Sequence, residues 1–375
     1  MMRFLPALLL ALLSTPAFAH KPSDSYLKLA LKGSTVQGQW DIALRDLDYA
    51  LGLYADGDGA ITWGELRLRH QEIAAYALSR LTIKADGGTC AHEVREHLVD
   101  HHTDGAYAVL RFDALCPKTL EPLEPWSISY RLFFDLDPQH KGLLNLSQGG
   151  QTYTAIFSPK QDTQRIEALG FSRTQQFIAY GWEGIWHIWI GYDHILFLLS
   201  LLLPAVLKRE GNRWRALASF REASIDVVKI VTAFTVAHSI TLSLAGLEVI
   251  ALPSRWVESA IAASVVLAAL NNLYPLVYGR RWVVAFVFGL VHGLGFANVL
   301  TDLGLPKGSL LLSLVGFNLG VEVGQLAIVS VFLPLAYRVR HSWSYQGVTL
   351  RLGSALIALV ACVWLVERSL GLSFS

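Results

Sequence analysis

The feature that most constrains this chain is an apolar run, residues 186–199, that contains ionisable side chains. His187, Asp193 and His194 lie in a stretch that is otherwise apolar enough for the interior of a lipid bilayer. Ionisable groups are costly there, so they normally face a bundle interior, a water-filled path or a bound ion. Polar residues of the same kind recur in three later apolar segments. They are His238, Ser239, His292, Asn318, Glu322 and Gln325.

The composition is that of a protein with a membrane-embedded part. Of its 375 residues, 53% are hydrophobic and 16% are charged, and the mean hydropathy is +0.40. Nearly all long apolar runs follow Gly181, so the expected lipid-contacting part is C-terminal. The formal net charge of +1, without a basic stripe interleaved with aromatic residues, argues against a nucleic-acid partner.

The N-terminus has the pattern of an export signal. Arg3 precedes the apolar residues 4–13, and Ala17-Phe18-Ala19 has the small-x-small pattern of a cleavage site. We predict removal of residues 1–19, which leaves His20 at the mature N-terminus. Its α-amino group and imidazole together suit copper or nickel, both of which favour nitrogen donors. The alternative is that His20 merely follows the cleavage site.

Residues 20–155 are predicted to form a small exported domain of antiparallel, β-rich α+β type, and residues 156–183 a juxtamembrane linker. The evidence is a period of two in the strands and helical spacing between them. Because export leads to an oxidising compartment, we expect Cys90 and Cys116 to form a disulfide. The predicted elements are a hairpin over 27–44, a helix over 65–80, and strands over 106–115 and 126–136.

The segment that leads into this helix resembles a calcium-binding EF-hand loop. Aligned on Gly59, residues 54–65 match the loop pattern at several positions, but Tyr54 replaces the acidic first ligand. A calcium ion would therefore be held weakly. The alternative is an Asp-Gly turn that caps the helix. The candidate calcium ligands are Asp56, Asp58, Ala60, Thr62 and Glu65.

Histidines are frequent in the next segment of the exported domain. Clustered imidazoles can recruit a soft divalent cation at low affinity. The alternative is that they are exposed polar positions of a hairpin. The residues are His92, His97, His101 and His102.

Residues 184–370 are predicted to be a polytopic α-helical membrane domain of about six helices, each long enough to span ~30 Å of hydrocarbon. Basic residues concentrate in alternate loops, which places 207–225 and 337–349 in the cytoplasm. The exported domain and the C-terminus then lie outside. The six segments are 184–206, 227–247, 257–278, 282–301, 309–336 and 350–368.

His187 and His194 are seven residues apart, and therefore about 10 Å apart along an ideal helix. They can reach the same ion only if the helix breaks, and Gly184 and Gly191 are the candidate positions for a break. Without a break, the two histidines would be two successive binding positions along an ion path.

The fifth segment has two different faces. Asn318, Glu322 and Gln325 share one stripe at helical spacing. On the other side, glycines every four residues suit close packing of a neighbouring helix. They are Gly316, Gly320 and Gly324.

These motifs resemble a known family. His187, five intervening residues, and then Asp193-His194 followed by Ile-Leu-Phe-Leu-Leu are similar to the HupE/UreJ signature, and more loosely to that of nickel/cobalt permeases. Residues 234–239, 288–297 and 317–322 resemble the family branch with an N-terminal exported domain. The resemblance implies a metal-ion permease of the bacterial inner membrane with a periplasmic domain, nickel being the usual assignment.

The ligand types leave several metals and functions open. Imidazole suits nickel, cobalt, copper and zinc, and no Walker A sequence is present. We expect a transport protein rather than an enzyme. One alternative is an intramembrane metalloenzyme with Glu322 as the base, although the chain has no His-Glu-x-x-His helix. Another is a membrane-anchored metal sensor or assembly factor.

Overall fold

The computed structural model separates into two compact units, which are described in turn. A β-sheet unit runs to Ala179, and a helical unit contains Tyr180–Asn298 and the chain from Leu311 onward. The structure describes residues 24–33, 35–53, 61–85, 88–102, 105–117, 126–148, 151–166, 173–210, 213–247, 249–250, 252–274, 277, 280–295 and 307–370.

The β-sheet unit consists of two sheets that share one hydrophobic core, together with two helices. One sheet has the strand order β5-β6-β2-β1-β8-β9, and the other has the order β10-β7-β3-β4. The core contains Trp40 from the first sheet and Ile128 from the second. The elements are β1 Asp24–Lys32, β2 Thr35–Ala43, α1 Leu44–Leu51, α2 Trp63–Leu78, β3 Leu81–Ala85, β4 Gly88–Thr89, β5 Ala91–His102, β6 Gly105–Leu115, β7 Trp126–Tyr130, β8 Lys141–Gln148, β9 Gln151–Phe157 and β10 Thr163–Ile166.

The predicted β1–β2 hairpin is confirmed, with Leu27 opposite Trp40 in an antiparallel ladder. Gly33 at the turn has φ +64, a left-handed conformation that favours glycine. The prediction of a purely antiparallel domain is wrong, because β1 pairs with β8 in parallel. A parallel neighbour requires a long crossover, and here the chain contributes strands to the second sheet before it returns.

The predicted strand over 126–136 is too long. β7 ends at Tyr130, and the chain then turns through Phe133, whose φ is +57. Leu132 and Phe133 are both buried in the core. The sequence alternation therefore continues beyond the strand because these turn residues also bury apolar side chains.

The predicted linker over 156–183 begins inside the sheets. β9 extends to Phe157, and β10 pairs with β7 through Ile166, which is buried. The four residues of β10 alternate too briefly to stand out in the sequence. The predicted helix, observed as α2, and the strand over 106–115, observed as β6, are confirmed. The predicted disulfide between Cys90 and Cys116 is also confirmed.

The helical unit contains apolar helices. Among the described residues, four are long and apolar enough to cross a membrane, or five if the bent pair α3–α4 counts as one span. The elements are α3 Arg173–Ile190, α4 Tyr192–Leu202, β11 Leu207–Glu210, β12 Arg213–Ala216, α5 Phe220–Gly246, α6 Ser254–Leu273, α7 Arg281–His292, α8 Lys307–Val339, a π-helix Ser344–Thr349 and α9 Leu350–Leu370.

Two of the six predicted segments differ from single spanning helices. The first is broken between α3 and α4, which meet at an angle of 71°. The fourth is represented by α7, whose 12 residues span about 18 Å at 1.5 Å per residue. After α7 the chain tightens into i→i+3 hydrogen bonds at Leu294 and Gly295, because glycines favour helix termination.

Helices α3 and α8 pack closely through glycines, as the sequence predicts for Gly320 and Gly324. A Cβ on Gly184 would lie against the carbonyl oxygen of Phe317, and one on Gly320 against that of Gly181. Small residues at a helix interface let backbones approach. This close packing fixes the C-terminal turn of α3, which carries His187, beside α8.

Candidate metal centre

Three histidines from separate helices meet in the helical unit. One ring nitrogen from each of His187, His194 and His238 can be chosen so that all lie within 4.8 Å of one another. The rings of His187 and His194 are 4.6 Å apart between centroids, and His238 is 6.3 Å from His187. His238 is fully buried and His194 nearly so. These three residues are termed the histidine cluster.

The break between α3 and α4 brings the first two members together. Gly191 is the N-cap of α4, and its φ of −69° and ψ of 94° are not helical. A Cβ at this position would be 2.7 Å from the carbonyl oxygen of His187 and 2.8 Å from Nδ1 of His194. The sequence offered Gly184 and Gly191 as break points, and the chain breaks at Gly191, whereas Gly184 serves helix packing.

Asp193 orients His194. Its Oδ1 accepts hydrogen bonds from the backbone N–H of His194 and from the ring Nδ1 of the same residue, both at 2.8 Å. A carboxylate can only accept, so the proton is on Nδ1 and the lone pair is on Nε2. That Nε2 is buried and has no hydrogen-bond partner among the described residues. Such a carboxylate–histidine pair is typical of metal-ligating histidines.

Asn318 orients His238 in the same way. The amide nitrogen of Asn318 donates to the carbonyl oxygen of Leu314 at 2.8 Å, which leaves its Oδ1 facing Nδ1 of His238 at 3.1 Å. His238 therefore donates from Nδ1 and keeps its lone pair on Nε2. Within the described part of the chain, this Nε2 is likewise buried without a partner.

His292 lies at the edge of the histidine cluster. Its ring is 5.1 Å from that of His194, and its Nε2 is 2.8 Å from the hydroxyl oxygen of Ser264. The other ring nitrogen, Nδ1, is buried and finds no hydrogen-bond partner in the described residues. Phenylalanine rings pack against His187, His238 and His292 at centroid distances between 4.9 and 6.4 Å. They are Phe197, Phe234 and Phe317.

Helix ends add a favourable field for a cation. His187 is in the last turn of α3, and His292 is the last residue of α7. The C-terminal end of a helix carries a partial negative charge from its unpaired carbonyl groups. Two such ends therefore adjoin His194. The N-terminal turn of α4, which has the opposite polarity, contains the carboxylate of Asp193.

The separations are close to those of a shared metal ion. Two imidazole nitrogens bonded to one ion at about 2.0–2.1 Å lie roughly 3.4 Å apart in tetrahedral geometry. The observed limit of 4.8 Å requires each ring to move by less than about 1 Å. The donor set is nitrogen, which suits nickel, cobalt, copper or zinc better than magnesium or calcium.

The other predicted residues lie beside the histidine cluster rather than in it. Asp193 contacts His194 and Arg368, with Oδ2 3.5 Å from the guanidinium group. Glu322 accepts a hydrogen bond from Thr232 at 2.9 Å. The remaining two predicted side chains both bond to Thr235: Gln325 accepts from its hydroxyl, and the Ser239 hydroxyl donates to its carbonyl oxygen.

Three contributing residues were missed from the sequence. Arg368 lies at the end of the last apolar segment, where a basic residue is ordinary, so nothing in the sequence links it to Asp193. Ser264 is a small polar residue in an apolar helix, which has many structural uses. Thr232 shares a helical face with Thr235 and His238, and that spacing could have revealed it.

The family described as HupE / UreJ protein matches residues 160–368, which is more than half of the chain. The chain belongs to the HupE/UreJ family. All four buried or half-buried histidines of the helical unit fall inside the matched span, as do Asp193 and Asn318. No curated protein matches the chain.

In this HupE/UreJ protein, most of the β-sheet unit lies outside the matched span. Of the calcium candidates, Asp56, Asp58 and Ala60 fall outside the described residues, as do residues 1–19 and His20. Thr62 and Glu65 form a capping box on α2, in which the backbone N–H of Thr62 donates to Glu65 Oε2 at 2.7 Å. This contact is the one expected if the segment simply caps the helix, and calcium binding stays a prediction.

The four histidines of β5 do not converge. His92 packs on Phe112 with ring centroids 5.7 Å apart, and burial lowers its pKa. His97 lies 5.0 Å from His70 of α2, and His102 is 3.4 Å from the carboxylate of Asp41. His101 is exposed. The strand thus separates these imidazoles, and the described part of the β-sheet unit has no group of three candidate ligands.

Proposed function

We propose that this HupE/UreJ protein is a permease for a divalent transition-metal cation, nickel or a similar ion, in the bacterial inner membrane. The observation that carries the proposal is the histidine cluster, in which three imidazoles from α3, α4 and α5 approach within 4.8 Å inside an apolar bundle. Ionisable side chains at such a position mark ion pathways in membrane proteins. The family match and the spanning helices support a multi-pass membrane protein.

Binding and release must both be easy in a permease. Neutral imidazoles oriented by Asp193 and Asn318 are ligands of intermediate softness, and they carry no negative charge of their own. His292, beside His194, offers a further nitrogen, so that an ion can exchange ligands around His194. The aromatic side chains around these rings exclude water and strengthen the electrostatic interactions.

A flux measurement in proteoliposomes tests the proposal. The purified protein should move Ni²⁺ or another ion of a Co²⁺, Cu²⁺ and Zn²⁺ panel into vesicles, as detected by an entrapped metal-sensitive dye. His194→Ala and His238→Ala should abolish this flux, because each variant leaves the cluster with only two of its three converging imidazoles. His341→Ala removes an exposed histidine and is the matched control. Absence of flux for every metal would refute the proposal.

The orientation is part of the same proposal. The basic loops at 207–225 and 337–349 lie in the cytoplasm, and the β-sheet unit and the C-terminus lie in the periplasm. This arrangement requires an even number of crossings, and six is the number predicted from the sequence. Reporter fusions in the two loops and at the C-terminus check it. A cytoplasmic C-terminus would mean that the number of crossings is odd.

An intramembrane metalloenzyme is the alternative with the same ligands. Its proposed base, Glu322, is hydrogen-bonded to Thr232 and lies outside the group of three clustered imidazoles. The flux assay separates the two functions, because an enzyme of this kind binds metal but does not move it across the bilayer. Metal binding that depends on His194 without any flux would favour the enzyme.

A further inference from the structure

The helical unit contains a large cavity whose lining residues differ from those of the histidine cluster. Its volume is about 1070 Å³, and it is bordered by the end of α4, the β11–β12 hairpin, α5, α6 and the start of α7. None of the histidines of the cluster lines it. Typical small-molecule sites enclose roughly 300–1,000 Å³, so the cavity is much larger than a single inorganic ion requires.

The charges around this cavity favour an anion. Five basic side chains line it against two acidic ones, Glu222 and Asp226, so the lining has an excess of three positive charges. Asp226 is already paired with Arg281 at 2.7 Å. A cation on its way to or from the histidine cluster would be repelled here. The basic residues are Lys208, Arg209, Arg221, Lys229 and Arg281.

Part of the lining is apolar and exposed at the surface of the bundle. Leu267, Leu270 and Ile225 line the cavity, and their exposed fractions are 56%, 39% and 42%. Side chains this apolar at the periphery of a membrane-spanning bundle face lipid. A molecule that fills the cavity therefore meets both cationic groups and apolar side chains that are exposed to lipid.

We propose that this cavity binds an anionic glycerophospholipid of the phosphatidylglycerol or cardiolipin class. The phosphate lies among the basic side chains, and the acyl chains pack along the exposed apolar side chains of α5 and α6. Basic pockets between transmembrane helices on the cytoplasmic side are suited to such headgroups. The N-termini of α5 and α7, which border the cavity, add a partial positive charge. In the orientation proposed above, the lipid belongs to the inner leaflet.

Native mass spectrometry of the full-length protein in detergent tests the site. The protein is titrated with dioleoylphosphatidylglycerol and, separately, with dioleoylphosphatidylcholine. We expect preferential retention of the anionic lipid. The variant Lys208→Gln/Arg221→Gln/Lys229→Gln removes three cavity charges and should weaken this binding about 100-fold, at about five-fold for each charge.

A matched variant separates the cavity from general surface charge. Arg215→Gln/Arg338→Gln/Arg351→Gln removes the same charge from exposed positions near the same end of the bundle that do not line the cavity. It should retain binding within about five-fold. Lys208→Arg/Lys229→Arg keeps the charge and should bind as the wild type does, which guards against misfolding as the cause of any loss.

Three results would overturn the proposal. The first is equal loss in the cavity variant and the surface variant, which would indicate non-specific attraction. The second is equal retention of phosphatidylcholine. The third is displacement of the bound lipid by millimolar inorganic phosphate, which would make the cavity a simple anion site. None of these results bears on metal flux, so the proposal stands or falls independently of the permease assignment.

Discussion

His140 in the β-sheet unit and His238 in the helical unit are both fully buried, and both rings take part in hydrogen bonds. The neighbours of the rings differ. His140 lies 2.6 Å from the hydroxyl of Tyr130 and among phenylalanine rings. His238 is surrounded by two other imidazoles whose nitrogens approach its own.

The comparison shows that burial alone does not identify a ligand. Trp40 donates to Ser25, whose hydroxyl is 2.6 Å from that of Tyr130, and this buried hydrogen-bond chain includes His140. Such a histidine is a structural part of a core. In the helical unit the imidazoles converge on one another. Hydrogen bonds to Asp193 and Asn318 hold the ring N–H of His194 and His238, which leaves the other ring nitrogen of each free to bind a metal ion. Convergence is therefore the informative observation.

The largest expected effect comes from removing the converging histidines. His194→Ala/His238→Ala should weaken equilibrium Ni²⁺ binding by more than about 100-fold, because direct ligands matter more than their supporting groups. His97→Gln/His101→Gln on β5 should leave binding at the cluster unchanged. Isothermal titration of the purified full-length protein in detergent measures both. Loss of the same binding event in the β5 variant would break the comparison.

Asp193→Asn should weaken metal binding by about 10–100-fold while leaving the helices in place, because the amide is a poorer partner for the ring N–H of His194. The same titration measures it. Glu322→Gln is the control, since Glu322 bonds to Thr232 rather than to a clustered imidazole. A larger effect at Glu322 than at Asp193 would show that the ion binds along α8 instead.

Gly184→Ala should destabilise the helical unit by about 1–3 kcal/mol, the usual cost of overpacking. The new Cβ would press on the carbonyl oxygen of Phe317 and move α3, which carries His187. Gly181→Ala is a matched control on the same helix, because its Cβ would be 3.5 Å from the nearest atom, an ordinary contact. Thermal unfolding in detergent compares them, and equal stabilities would contradict the packing argument.

The smallest effect concerns His140. Burial lowers its pKa from 6.5 to about 3, so the unfolded chain binds a proton between these pH values while the folded β-sheet unit does not. Stability should therefore fall as pH decreases below about 6.5, by up to about 1.4 kcal/mol per pH unit. His140→Gln should flatten this slope, and the exposed His101→Gln should not.

Amide hydrogen exchange in β7 and β8 of the full-length protein, corrected for the intrinsic effect of pH on exchange, follows this dependence. If protection in the wild type were as strong at pH 5 as at pH 7, His140 would not remain neutral in the folded unit.

The sequence by itself determined the division into a β-rich part and an apolar helical part, because periodicity and hydropathy are local properties of the chain. It also gave the hairpin of β1 and β2, the disulfide between Cys90 and Cys116, and the glycine face of α8. The histidines of the cluster were all identified, because an ionisable residue in an apolar run is conspicuous.

Only the tertiary structure decided which of these residues meet. The bend at Gly191 brings His187 and His194 together, although an ideal helix would separate them by about 10 Å. The same folding directs Glu322 toward Thr232, and Asp193 toward Arg368. It also decided the parallel pairing of β1 with β8 and the early end of β7. These outcomes depend on contacts between residues far apart in the chain, and local spacing carries no information about such contacts.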